Sequence, residues 1–133
     1  MMWTPDQEML RRLKSRLQWD LWEREIRRLG YTLDRPKWSR HPTFPDIIYP
    51  IDYGYVNGTL GTDNEPIDIF VGTSDHGLAG AIVTTDFRKR DVEVKLLYNC
   101  DAREIYLANG FINYDASLMA GRLVLRRPMV DYF

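Results

Sequence analysis

The sequence predicts a mainly β fold with flanking α-helices: a small barrel set between a long N-terminal helix and C-terminal helices. Three observations predict it. From Ile47 to Leu97, apolar and polar residues alternate in short runs cut by turn residues such as Asn57-Gly58 and Asp75-His76-Gly77. Alternation of that period sends successive side chains to opposite faces of a strand, and several such strands within about 50 residues suit a small barrel. On either side, at residues 4–29 and after Cys100, the apolar positions recur at helical spacing instead.

Taken in order, residues 4–29 read as one amphipathic helix. Thr4 caps it, Pro5 suits the first helical position and Gln7 completes a capping box. Leu10, Leu13, Leu17 and Leu21 form one stripe; Trp19, Trp22, Ile26 and Leu29 form a second, slightly rotated, and Gly30 is a natural stop. A stripe this wide covers the domain's own core on one side and is free to meet a second copy of the chain on the other. Residues 31–34 form a short strand. Pro36, Pro42, Pro45 and Pro50, with Trp38, Phe44 and Tyr49 among them, mark an ordered extended loop. The main strands are expected at 53–57, 66–72, 79–85 and 92–98. Helices are expected at 101–109 and 114–126, around Leu118, Met119 and Leu123, with Pro128 ending the last.

Length and composition bound the function. At 133 residues, one domain fits and two independent cores do not; 44% apolar and 13% aromatic residues promise a real core. A net charge of −1 speaks against non-specific binding to nucleic acid or membrane surfaces. The lone Cys100 excludes an internal disulfide and a cysteine-built zinc site. There is no run of 18 apolar residues, and MMWTPDQEM lacks the order of a secretory signal. The expectation is a soluble cytoplasmic protein acting on a small molecule, without nucleic-acid or membrane partners, and self-associating into a homo-oligomer.

The chemistry concentrates in one stretch. From Phe44 to Asp86 there are seven acids and no Lys or Arg, and then the sign flips at Arg88-Lys89-Arg90. Crowded carboxylates repel, and a cation among them lowers the cost. Asp63, Glu65 and Asp68 lie on a turn and a strand mouth. Their all-oxygen donor set suits a hard ion, magnesium or manganese. An EF-hand does not fit, because Ile67 and Ser74 would occupy ligand positions. An acidic solvated turn is the plain alternative. Asp86 ends an apolar run, and Asp91, Glu93 and Lys95 alternate onto one face, which suits either a phosphate–metal site or a solvent-facing strand with cross-strand ion pairs. Tyr49 and Tyr53 can donate to phosphate oxygens, and Arg35, Lys37 and Arg40 supply cations upstream. His41 and His76 form no ligand pattern.

The block YPIDYGYVNGTLGTDNEPIDIFV, from Tyr49 to Val71, resembles the soluble inorganic pyrophosphatases, whose signature Asp-x-Asp-Pro-hydrophobic-Asp follows a Tyr-Pro-x-x-Tyr-Gly segment. Asp86 followed by Glu93-Val94-Lys95-Leu96 is similar to that family's second acidic cluster and its Lys. The resemblance covers residues 32–98. It implies an OB-like five-stranded barrel, dependence on magnesium, with manganese as substitute, and hydrolysis of pyrophosphate to two phosphates. Carried over by position, Asp63, Asp68 and Asp86 hold metal, as does Glu93 or Asp91. Glu65 takes the place of the general base, and Lys95, Tyr53 and Arg40 contact phosphate, with Tyr49 and Lys37 beside them. Departures are plain: Glu stands for Asp at position 65, the family's early Lys and Glu are absent, and so is its C-terminal Tyr-Lys pair. Hydrolysis of another phosphoanhydride and a non-catalytic metal or phosphate module are the alternatives. A nucleic-acid-binding barrel is disfavoured, because strands of nucleic acid need a basic groove.

Overall fold

A computed structural model describes residues 3–8, 11, 17–61 and 64–133. Helix α1 spans Trp19–Leu29. Asp20 in its first turn and Arg27 and Arg28 in its last complement the helix dipole. Gly30, at φ 72°, closes it by donating its N–H to the Ile26 carbonyl. The expected single helix over 4–29 is broken. Residues 7, 8 and 11 are helical, residues 17–18 are not, and Gln18 is extended. The reason lies in the two offset stripes. Leu17 and Trp19 both pack on the cluster around Ile26. Two residues apart on one helix they would point to nearly opposite sides. Leu21 is correspondingly exposed. Leu10 and Leu13 lie outside the described residues.

Among the described residues six strands follow: β1 Tyr31–Arg35, β2 Asp52–Val56, β3 Asp68–Val71, β4 Leu78–Asp86, β5 Asp91–Tyr98 and, after helix α2 at Ala102–Ile112, β6 Met119–Leu125. They form one sheet in the order β1-β2-β3-β5-β4-β6, with β3 and β5 parallel and the other pairs antiparallel. The mainly β class with flanking helices holds, but the sheet is open, with β1 and β6 at its edges, and has six strands where a five-stranded barrel is expected. The sixth comes from the segment read as a helix at 114–126. Within it, Leu123 and Leu125 turn to the α2 side of the sheet, and Val124 turns to the other side. Gly121 lets the strand pass beneath the end of α2, since a Cβ there would meet Ile112 and Ile82 methyls at 2.5 and 2.6 Å.

The sheet separates two cores. On one face Phe70, Ile82 and Leu97 pack under Ile105, Ala108 and Ile112 of α2. On the other, Val56, Ile69, Ala81 and Leu96 pack against Ile26 of α1. Helix α2 starts with a full capping box: the Asp101 carboxylate accepts from the Glu104 N–H, and Glu104 accepts from the Asp101 N–H. The Pro-rich loop is ordered by its own ladder, Trp38 N–H to the Tyr49 carbonyl (2.8 Å) and Tyr49 N–H to the Ser39 carbonyl (2.9 Å). Among the described residues, no helix is long and apolar enough to cross a membrane.

Candidate active site

The α2 face stops being apolar one step beyond the helix. Phe70 and Leu97 lie opposite each other under α2; two residues back along the parallel pair, Asp68 lies opposite Lys95. Strand alternation keeps both on the α2 side, and Glu93 follows two further on. The Lys95 side chain is buried, and its three N–H donors meet three acceptors. They are Asp68 Oδ2 at 2.7 Å, Glu93 Oε1 at 2.5 Å and the Tyr53 hydroxyl at 3.0 Å. Burial opposes the charge on Lys95, but Tyr53, Asp68 and Glu93 outweigh it and hold its pKa well above the usual lysine value. Burial pushes the Tyr53 phenol far up, against the pull of Lys95. The ammonium therefore stays charged and the phenol stays protonated at any physiological pH.

Tyr49, held by the loop ladder, extends this group outward. Its ring lies 5.1 Å from that of Tyr53 and 4.7 Å from Phe111 of α2. Its hydroxyl accepts from Arg35 Nη1 at 2.5 Å. Arg35 is placed by register, directly opposite Tyr53 on the neighbouring strand. Burial raises the Tyr49 pKa and Arg35 partly offsets it.

Tyr49, Tyr53, Asp68, Glu93 and Lys95, all expected from the sequence, are thus brought together. Other expected residues lie elsewhere. Asp63 is outside the described residues. Glu65 is exposed in the turn before β3, its carbonyl accepting from Gly61 N–H at 2.7 Å. Arg40 is exposed and donates to the Pro45 carbonyl at 3.0 Å. Lys37 sits over the Trp38 ring, 4.8 Å from its centroid. Asp86 and Asp91 face each other across the β4–β5 hairpin, four residues beyond the Ile82–Lys95 pair. That is about 13 Å along the strands. Asp86 Oδ1 there accepts from the backbone N–H groups of Arg88 and Lys89, both at 3.0 Å.

Among the described residues, no three His, Cys, Asp or Glu side chains converge as metal ligands. Asp68 and Glu93 form a close pair. Both reach the Lys95 ammonium, so their oxygens are separated by no more than the sum of those two bond lengths. The pair fits one hard cation completed by water and ligand oxygens, rather than an all-protein cage. Sequence reasoning left two cations without a place. Arg35 was legible only as an upstream charge, because its position depends on the β1–β2 register. Arg88 showed only as part of the sign flip after Asp86.

Residues 25–87 match the family model described as inorganic pyrophosphatase. The inorganic pyrophosphatase of Geobacillus stearothermophilus is 34% identical over 55 residues, covering 41% of this chain and 30% of that protein. That of Vibrio parahaemolyticus is 40% identical over 37 residues, 28% of this chain and 21% of that one. The aligned stretches therefore span under a third of these relatives' length. The resemblance read from the Tyr-Pro and acidic blocks is borne out over residues 25–87, which are similar to the inorganic pyrophosphatases. The match stops before Glu93 and Lys95, whose place in the site rests on the geometry.

Proposed function

We propose that the chain hydrolyses pyrophosphate to two phosphates with a divalent cation, magnesium, as cofactor. One observation carries this reading: the buried Lys95 ammonium held by Asp68, Glu93 and Tyr53, with Asp68 and Tyr53 inside the segment that matches the family. Lys95 exchanges its hydrogen bond to the Tyr53 oxygen for one to a phosphate oxygen, and the Tyr53 hydroxyl, which keeps its proton, donates to another oxygen of the same phosphate. Because Lys95 keeps its proton, it neutralises charge developing on the leaving phosphate and does not act as an acid. Asp68 and Glu93 are the described carboxylates that would hold the cation, joined by Asp63; Asp86 and Asp91, at the hairpin end, lie too far along the strands to share it. When bound, the cation supplies charge neutralisation and a water whose pKa is brought toward neutrality. Glu65 takes a proton from the attacking water at its carboxylate. Arg40 and Lys37 serve as outer phosphate contacts. A cytoplasmic location and self-association through the N-terminal region belong to the same proposal.

A second reading, a non-catalytic phosphate-binding module, is favoured by the lack of a three-carboxylate group among the described residues. Release of phosphate from pyrophosphate, with and without magnesium, separates the two. The expected result is magnesium-dependent release that Asp68→Asn abolishes while the circular dichroism spectrum is unchanged. Release that survives the substitution removes Asp68 from the site. Absence of release, with pyrophosphate still binding in calorimetry, favours the module.

A further inference from the structure

We infer that Asn57 is a covalent modification site, at which deamidation unfastens the edge strand β1 from helix α1. The chain has two Asn-Gly steps, Asn57-Gly58 and Asn109-Gly110. Asparagine is thermolabile, and most so before glycine, which has no side chain to hinder attack by its own nitrogen. The Gly nitrogen attacks the Asn Cγ and gives up its proton. The bond from Cγ to Nδ2 breaks, ammonia leaves with that proton, and a cyclic imide closes. Water then opens the imide at either carbonyl. The product is aspartate or its isomer, in which the main chain runs through Cγ and gains a methylene. The net change is one water taken up and one ammonia released, with no oxidant or reductant.

The fold sets the two steps apart. Asn109 and Gly110 lie inside α2, where the helical ladder engages the Gly nitrogen. Asn57 instead follows the end of β2 and prolongs its pairing, donating its N–H to the Gly30 carbonyl at 3.0 Å. Gly58 then turns the chain at φ 69°, and among the described residues its N–H meets no acceptor. The Asn57 side chain is latched at both ends. Its Oδ1 accepts from the Thr32 hydroxyl of β1 at 2.7 Å, and its Nδ2 donates to the Leu29 carbonyl, in the last turn of α1, at 3.2 Å. One side chain thus ties the end of α1 to the start of β1. Closing the imide turns Cγ toward Gly58 and removes Nδ2, so the reaction waits for the latch to open.

The product does not re-form the latch. A carboxylate has no donor for the Leu29 carbonyl. It also faces the C-terminal carbonyls of α1, the negative end of the helix dipole. Arg27 and Arg28 in that turn already pair with Glu23 and Glu25. Strand β1 lies at the edge of the sheet and is exposed along most of its length, so little else holds its start. The loosening reaches Tyr49 through Arg35, the last residue of β1. This inference holds whatever the site at Lys95 hydrolyses.

The test ages the full chain in mildly alkaline buffer and follows the mass gain of deamidation at each asparagine by tandem mass spectrometry. Asn57 is expected to convert about tenfold faster than Asn109, because a packed helix opens more rarely than a sheet edge. Thr32→Val keeps a β-branched residue at an exposed strand position and removes the hydroxyl of the latch. It is expected to speed conversion at Asn57 about fivefold, the effect of one net hydrogen bond lost. In the aged chain and in Asn57→Asp, the amides of β1 are expected to exchange about tenfold faster than in fresh wild type, with those of β4 unchanged. Conversion of Asn109 within about twofold of Asn57, or of Thr32→Val within about twofold of wild type, overturns the latched site. Protection of β1 that survives conversion of Asn57 overturns the release.

Discussion

Replacing Lys95 by Met keeps an unbranched side chain one atom shorter and removes the charge at the centre of the site. The Lys95 side chain is 5% exposed, and those of Asp68 and Glu93 are 27% and 17% exposed. Breaking a buried ion pair by removing one partner costs about 3–5 kcal/mol, and the partial exposure of the carboxylates puts this case at the lower end, about 3 kcal/mol. For a chain of this size that lowers Tm by about 10 °C. The sign of the pH dependence is fixed by what remains. Without the ammonium, Asp68 and Glu93 face each other as two anions; acid neutralises one, so the variant gains stability relative to wild type as the pH falls. Urea denaturation at pH 7.5 and at pH 5 measures both effects. Millimolar magnesium should narrow the gap at pH 7.5 by taking the ammonium's place. A gap below about 1 kcal/mol, or one that does not respond to pH, refutes the view of Lys95 as the counter-ion of this pair. A pH-sensitive gap that ignores magnesium refutes the pair as a cation holder.

Two further outcomes are expected. Gly54→Ala places a Cβ into the Thr32 carbonyl oxygen and within 2.8 Å of Leu33 Cα, both backbone atoms of β1 that cannot rotate away. It should cost about 2–3 kcal/mol and strip hydrogen-exchange protection from β1 amides, Arg35 included, before those of β4. Protection that falls uniformly would contradict it. The second outcome concerns His41, whose folded-state pKa is lowered by burial and then by Arg35 and Arg88. Below the ordinary histidine value of about 6.5 the unfolded chain takes up a proton that the folded ring resists. Stability is therefore fullest above that pH and declines as the pH falls toward the folded pKa. His41→Gln should flatten this decline in urea midpoints, and an unchanged slope would place its origin elsewhere.

Much of the sheet was legible because alternation is local. Strands β2 to β5 carry Val, Ile, Leu and Tyr at period two, and their turn residues are adjacent in the chain. The Asp101 cap was not singled out, although α2 was expected at nearly the right place. The segment at 114–126 misled because Leu118, Met119 and Leu123 fit a helical period as well as a strand, and only pairing with β4 decides between them. The N-terminal helix is shorter than its periodicity predicts, because periodicity carries no signal of a break between two offset stripes. In the site, the acids and Lys95 were visible as types. Their grouping was not, since it depends on β3 and β5 lying parallel with Asp68 opposite Lys95.

That register carries the chemistry. Slipped by one residue, β5 would turn Lys95 into the apolar cluster of Ile26, Ile69 and Leu96, where a cation has no partner, and would send Leu96 into the acids. The strand ends are pinned against this. Gly72, just past β3, leaves no room for a Cβ, which would meet Glu104 Oε1 at 2.6 Å and Cys100 Cα at 2.7 Å. The buried Glu104 carboxylate accepts from the Thr73 N–H at 3.0 Å and the Thr73 hydroxyl at 3.1 Å, while it also accepts from the N–H of Asp101, the cap of α2. One carboxylate thus fastens the exit of β3 to the start of the helix that follows β5. With the strands locked there, an ordinary rise per residue delivers Asp68, five residues before Thr73, to Lys95 and Glu93, six and eight residues before Asp101. Lys95 reaches Tyr53 from the same lock, because β2 is paired to β3 with Tyr53 opposite Phe70. The apolar half of the α2 face thus fixes where the polar half lies.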